Sequence, residues 1–439
     1  MSAFSRRSFL KSAAVITAGA TLPPWFSKEL ESLAATPRPL SPNDKPNIAL
    51  IGCGGRGRGI GKEAANYGNM TAICDVDESH LDQAAKLFPA ATRFKDFRKV
   101  LARGDIHVVI NGTPDHWHTL VNLGAVKNGK DVYSEKPLTL TIDEGKRLVR
   151  AVAKHKRILQ TGSQQRSDAR FRLACELVRN GRIGRVKHVE TILPSGRHGG
   201  PFAASAVPAG LDWEFWLGQT PKVDYVKERC HGNFRYWFDY SSGTLTDWGA
   251  HHNDIALWGL GLERSGPVEI EGRFLIQPIL GGFSFPSEFR IQYQYANGIT
   301  HICESTSSDN PSGGVVQPAG KHHGVRFEGT DGWIFVTRGK IEASRAEILN
   351  EPLPSNAERL YVSSNHMANF FDCIRSRKPP VCDAEIGHRS VSLCHLGTIA
   401  CQLGRKLRWN PEREQFISDK EAQKLVAREM RKPWNYNAV

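Results

Sequence analysis

The chain has no CxxC pair, no run of five basic residues and no long hydrophobic stretch, and each absence removes a class of protein. Its nine cysteines (Cys53, Cys74, Cys175, Cys230, Cys303, Cys373, Cys382, Cys394 and Cys401) are odd in number and scattered, which excludes a zinc ribbon and a disulfide framework. Cys53, Cys74 and Cys394 stand among apolar or glycine residues and read as core. The formal net charge is +13, but the lysines and arginines are interspersed with acids and form no basic arm. Nucleic acid is therefore not an expected partner. The apolar stretch Ala13 to Leu22 is too short for a stable membrane anchor, nothing further along spans a bilayer, and no internal repeat is present. What remains is an ordinary globular composition, 40% hydrophobic and 23% charged over 439 residues, long enough for two or three domains.

The N-terminus carries an address. Ser5-Arg6-Arg7-Ser8-Phe9-Leu10-Lys11 fits the twin-arginine export consensus, and Ser32-Leu33-Ala34-Ala35 offers small residues for cleavage. Residues 1–35 therefore read as a signal peptide, and the mature protein as periplasmic or otherwise exported, with no membrane anchor left after cleavage. Unpaired thiols are unusual outside the cytoplasm. They fit a chain that folds first and crosses already folded.

A proline-rich linker, 36–46, precedes a strict alternation of strand and helix: strands at 47–51, 70–74, 106–110, 131–133 and 157–161, helices at 81–87, 119–128 and 142–155. Such alternation predicts a parallel, doubly wound sheet over 36–162. Beyond Gly162 the pattern changes to strand after strand, at 186–193, 268–276, 289–295, 300–305, 324–328 and 332–336. Those runs predict a largely antiparallel open sheet in an α+β domain over 163–360. The tail 361–439 reads as helices packing back on the first domain. The fold class expected is thus α/β plus α+β.

Gly52-Cys53-Gly54-Gly55-Arg56-Gly57 follows the first strand, opens a helix, and is followed about 18 residues on by Asp75 at the end of the second strand, the context a dinucleotide fingerprint requires. The glycines let the backbone approach a pyrophosphate, and the helix N-terminus supplies amide donors. Asp75 would accept from the adenosine ribose and repel a 2′-phosphate, favouring NAD over NADP. Three further motifs stand at Thr113-Pro114-Asp115-His116-Trp117-His118, at Glu135-Lys136-Pro137, and at Asp247 through His251 to Asp254. The first two follow strands at the end where open sheets bind ligands. The third is spaced for one helical face.

Together these motifs make the chain, from Asn47 to about Leu407, resemble the Gfo/Idh/MocA family, the group of glucose–fructose oxidoreductase and inositol dehydrogenase. The resemblance implies a Rossmann domain and a nicotinamide-dependent sugar oxidoreductase. It implies Lys136 beside both nicotinamide ribose and substrate, His251 as general base and Asp247 orienting it. Gly52, Gly54, Gly55, Arg56, Gly57, Asp75, Thr113, Pro114, His118, Glu135, Lys136 and Gln164 are the expected cofactor contacts. Trp117, Arg166, Arg235, Tyr236, Trp237, His252 and Asp254 are the expected substrate contacts. No metal is expected. The partners implied are a small carbohydrate and further copies of the chain, as a dimer or tetramer. Free NAD is scarce outside the cytoplasm, so export implies a cofactor that stays bound and is recycled. Redox-neutral exchange between sugars satisfies that condition. So does an NAD-dependent glycosidase or lyase that passes through a transient keto-sugar.

Overall fold

The computed structural model describes residues 22–33, 45–305 and 323–437. The twin-arginine motif lies outside them.

Six parallel strands form the first sheet: β1 (Asn47–Ile51), β2 (Asn69–Cys74), β3 (Thr92–Phe94), β4 (Val108–Asn111), β5 (Asp131–Ser134) and β6 (Leu159–Thr161). Their order is β3-β2-β1-β4-β5-β6, so the chain reverses direction between β1 and β4. Outside the carboxyl ends of the strands at that switch point an open sheet has its crevice. β1, β4 and β5 are buried almost throughout because helices cover both faces. Helix Ile142–His155 begins at Thr141, whose side chain accepts from the Glu144 amide. Burial raises the Glu144 carboxyl to about 7. That carboxyl takes bonds from the Leu140 amide (2.8 Å) and the Thr119 hydroxyl (3.0 Å).

The second sheet has nine strands: β7 (Val186–Leu193), β8 (Glu269–Phe274), β9 (Phe289–Gln294), β10 (Thr300–Ser305), β11 (Gly324–Gly329), β12 (Trp333–Thr337), β13 (Lys340–Ala343), β14 (Leu407–Asn410) and β15 (Gln415–Phe416). Their order is β13-β12-β11-β7-β10-β9-β8-β14-β15. Only the β7–β10 pair is parallel; every other neighbouring pair is antiparallel. Helices Ala169–Arg179, Gly249–Leu260 and Ala384–Leu403 cover one face.

The tail is more divided than a set of helices. Helix His366–Ser376 packs Phe370 and Phe371 into the first domain, where Phe371 stacks on Tyr67. β14 and β15 extend the second sheet instead, and Trp434 returns to stand edge-on to Trp117. Helix Pro24–Leu33 falls inside the stretch read above as signal peptide, yet it is packed on the second domain. Phe26 is fully buried among Phe171, Val178 and Leu349. The Arg172 guanidinium covers the Phe26 ring at 4.6 Å, and Trp25 Nε1 donates to the Leu349 carbonyl at 2.9 Å. All nine cysteines are buried and unpaired.

Candidate active site

The glycine-rich turn joins β1 to helix Gly55–Ala64. Gly52 has a φ of +87°, and a Cβ there would lie 2.5 Å from the Gly112 carbonyl carbon. A Cβ on Gly57 would lie 1.8 Å from the Gly52 oxygen, so both positions are closed to any side chain. Gly54 and Gly55 are open; a Cβ on Gly55 meets nothing within 4 Å. The turn is therefore braced from below by Gly112 and left bare above, at the N-terminus of a helix, which is a cradle for a pyrophosphate. At the end of β2, Asp75 Oδ2 accepts from the Cys53 amide at 2.6 Å, Oδ1 accepts from the Asp77 amide at 3.0 Å, and His80 Nδ1 lies 3.4 Å away.

A cleft of about 370 Å³ runs from Asp75 past the glycines to Glu135 and Lys136. Thr113, Pro114, Trp117 and His118 line it from the β4 side. His118 is fixed by both ring nitrogens, Nδ1 to the Pro137 carbonyl (2.6 Å) and Nε2 to the Thr113 carbonyl (2.9 Å). Arg56 reaches across the cleft, with Nε 2.7 Å from Glu135 Oε1.

At the far end Lys136 Nζ donates to the Asp247 carbonyl at 2.8 Å and to its Oδ1 at 2.5 Å. Arg235 Nε stands 3.1 Å from the same oxygen. Burial alone would raise the Asp247 carboxyl, but the two cations overcome it and hold the group at about 2. His251 is buried, with Nδ1 lacking any partner among the described residues. Burial, then Lys136, then Arg338 press its basicity well below that of a free histidine, so the ring is neutral. Gln164 Oε1 is likewise buried and unpartnered. Unpartnered buried polar atoms are uncommon in folded proteins, and His251 lies near enough to Lys136 for that charge to act on it. The residues present thus fit a dinucleotide: a bare glycine turn, a carboxylate at the end of β2 and, at the far end of the same cleft, the Lys136 ammonium.

Other expected contacts lie elsewhere. Arg166 and Asp254 are 1% and 0% exposed and form a two-pronged ion pair of 2.7 and 2.8 Å, with the Ser390 hydroxyl on the same carboxylate. They tie the turn Gln164–Ser167 to helices Gly249–Leu260 and Ala384–Leu403 instead of opening on the cleft. Trp237 is sealed in an aromatic cluster, its Nε1 bonded to the Glu228 carbonyl and its face under Arg229 at 3.9 Å. His252 is buried against His323, 3.1 Å between ring nitrogens. Asp247 and His251 do not share one continuous helix: Trp248 separates helix Gly243–Asp247 from the next. Tyr236 remains partly exposed, under the Arg197 guanidinium at 5.5 Å. Trp216, one of the aromatics whose ring suits a sugar, lines the same cleft from the second domain, and sequence reasoning missed Phe215, His231 and Gly232 beside it. Their only signal was the density of aromatics in 202–240.

Comparison with known proteins gives the family. Residues 46–163 match the oxidoreductase family with an NAD-binding Rossmann fold, residues 196–436 its C-terminal alpha/beta domain, and residues 3–23 the twin-arginine signal sequence. Scyllo-inositol 2-dehydrogenase (NAD(+)) of Bacillus subtilis is 24% identical over 71% of this chain and 80% of its own. A glycosyl hydrolase family 109 protein of Shewanella sp. ANA-3 is 32% identical over 33% of this chain, which spans only 36% of that relative's length. Among solved structures, the WlbA dehydrogenase of Bordetella pertussis with NADH and UDP-GlcNAcA (TM-score 0.62, 18% identity) and levoglucosan dehydrogenase with NADH and levoglucosan (TM-score 0.61, 17%) each match 83% of this chain and 99% of their own. They share its fold. With both domains and the export signal matched, the chain belongs to the Gfo/Idh/MocA family of NAD-binding oxidoreductases.

Proposed function

We propose that the protein is an exported, periplasmic sugar oxidoreductase that keeps its nicotinamide bound and works in redox-neutral cycles. One observation carries the reading: Lys136 lines the inner end of the cleft, is pinned on Asp247, and lies near enough to buried His251 to depress its basicity. Bound NAD supplies the hydride acceptor. His251 takes the proton of the reacting hydroxyl, for which a neutral imidazole is the competent form. Lys136 places a fixed positive charge against the oxygen as it becomes an alkoxide, and Asp247 with Arg235 fixes that ammonium in position. Glu135 and Arg56 hold each other across the cleft. Trp117 closes it on one side. The polar residues of β9 alternate outward, a face suited to pairing copies into a dimer or tetramer.

The test begins with protein purified without added cofactor. Released nucleotide is identified, and a panel of sugars and aryl glycosides is followed near 340 nm. Bound NAD that a sugar reduces and a second carbonyl compound reoxidises supports the proposal. The glycosyl hydrolase family 109 proteins among its relatives favour one second reading, an NAD-dependent glycosidase. Aglycone release without net reduction would decide for it.

A further inference from the structure

Residues 202–240 belong to the second domain in sequence but cross to the first. Asp212 donates its amide to the Val76 carbonyl (3.0 Å), Glu78 donates its own to the Gly210 carbonyl (3.1 Å), and Asp77 bridges Leu211. Further on, the Trp216 carbonyl accepts from Trp117 Nε1 and bonds a ring nitrogen of His116, each at 2.9 Å. This crossing is thus stitched to the loop after β2, just beyond Asp75, and to the helix after β4.

Between these two seams the chain makes a tight turn, His231–Tyr236, that hangs over the ribose end of the cleft. His231 opens it with a φ of +50°, a conformation that costs a residue with a side chain. Its ring is half exposed and reaches the first domain along one edge. Nε2 lies 3.4 Å from Asp77 Oδ2, and the ring centroid lies 4.7 Å from that of His80, which pairs with Asp75. His231, Gly232 and Phe234 face Asp75 and His80 across the same space.

We propose that residues 210–236 are a clasp over the adenosine half of the dinucleotide, with His231 as its latch. The cofactor leaves only when the contact between His231 and Asp77 opens. The clasp closes on the ribose end, while the reacting end near Lys136 stays free to exchange substrates. The inference rests on the reading that NAD remains bound, and supplies the device that retains it.

The test is the rate at which NADH leaves the full-length protein, read from nicotinamide fluorescence after dilution into excess unlabelled NAD. His231→Gly removes the latch and adopts the same φ without strain, so the fold is retained. Its release is expected about tenfold faster than wild type, the loss of one imidazole–carboxylate contact. His231→Asn, which also tolerates this conformation and can still meet Asp77, is expected in between. A melting temperature equal to wild type shows that the change is local. Release within twofold of wild type in His231→Gly overturns the clasp while leaving the bound-cofactor reading intact. A wild-type protein that exchanges NADH within one turnover overturns both.

Discussion

Substitution of Asp254 by Asn gives a sharp test of how this fold is held. The carboxylate is 0% exposed and takes two bonds from Arg166, itself 1% exposed, and one from Ser390. Water screens neither charge. The amide cannot balance the guanidinium, which is left buried beside Trp258, whose ring it faces at 4.8 Å. Removing one partner of a buried pair costs about 3–5 kcal/mol. The amide keeps one acceptor, so the lower end of that range applies. At about 2–4 °C per kcal/mol for domains of this size, the melting temperature falls by about 6–12 °C. Differential scanning calorimetry reads it directly. Replacing both partners by apolar residues, Arg166→Met with Asp254→Leu, removes the orphaned charge and recovers most of the loss. A single variant melting within 2 °C of wild type refutes the reasoning. So does a Michaelis constant raised a hundredfold at unchanged stability, which would put the pair in the substrate site.

Other perturbations follow from the same geometry. Lys136→Ala lowers the rate of the hydride step by about 10²–10³ and leaves NAD bound, as stopped-flow absorbance with nucleotide analysis would show. Gly57→Ala drives a Cβ to 1.8 Å from the Gly52 oxygen, so it abolishes copurification of NAD or yields no folded protein; normal cofactor content would contradict the cradle. Asp247 has a folded value of about 2 against an ordinary 3.8. Its contribution to stability is therefore present above the ordinary value and lost as pH falls towards 2, and Asp247→Asn flattens that part of the acid-unfolding curve. Phe26→Ala, at a fully buried position, costs about 3–5 kcal/mol and is measurable by denaturant titration.

The first domain was legible because its signals are local. A short apolar run and a 3.6-residue period place β1 and helix Ile142–His155 to the residue, and the glycine turn directly follows the first of them. β7 and β10 were equally plain from their β-branched runs. Pairings between distant polar residues were not legible. Arg166 and Asp254 looked like substrate ligands because sequence shows that a residue is charged, not that its partner 88 positions away neutralises it. Trp237 looked like a sugar platform for a similar reason; only packing reveals which face of an aromatic ring is covered. Lys136 and Asp247 were singled out because each sits in its own motif; that they meet, 111 residues apart, is visible only in the fold.

Helix Pro24–Leu33 bears on how the export tag is shed. Cleavage after Ala35 would carry Phe26 away and leave its socket between Phe171 and Leu349 open to water. The ion pair that Glu29 makes with Arg172 would go with it. The sequence match to the signal stops at residue 23, and Ala18-Gly19-Ala20 offers small residues just upstream. The address label and the body of the protein therefore overlap in sequence but not in fate. Only a cut ahead of Pro24 would leave the Phe26 socket filled, with the first helix as a permanent stopper in the second domain.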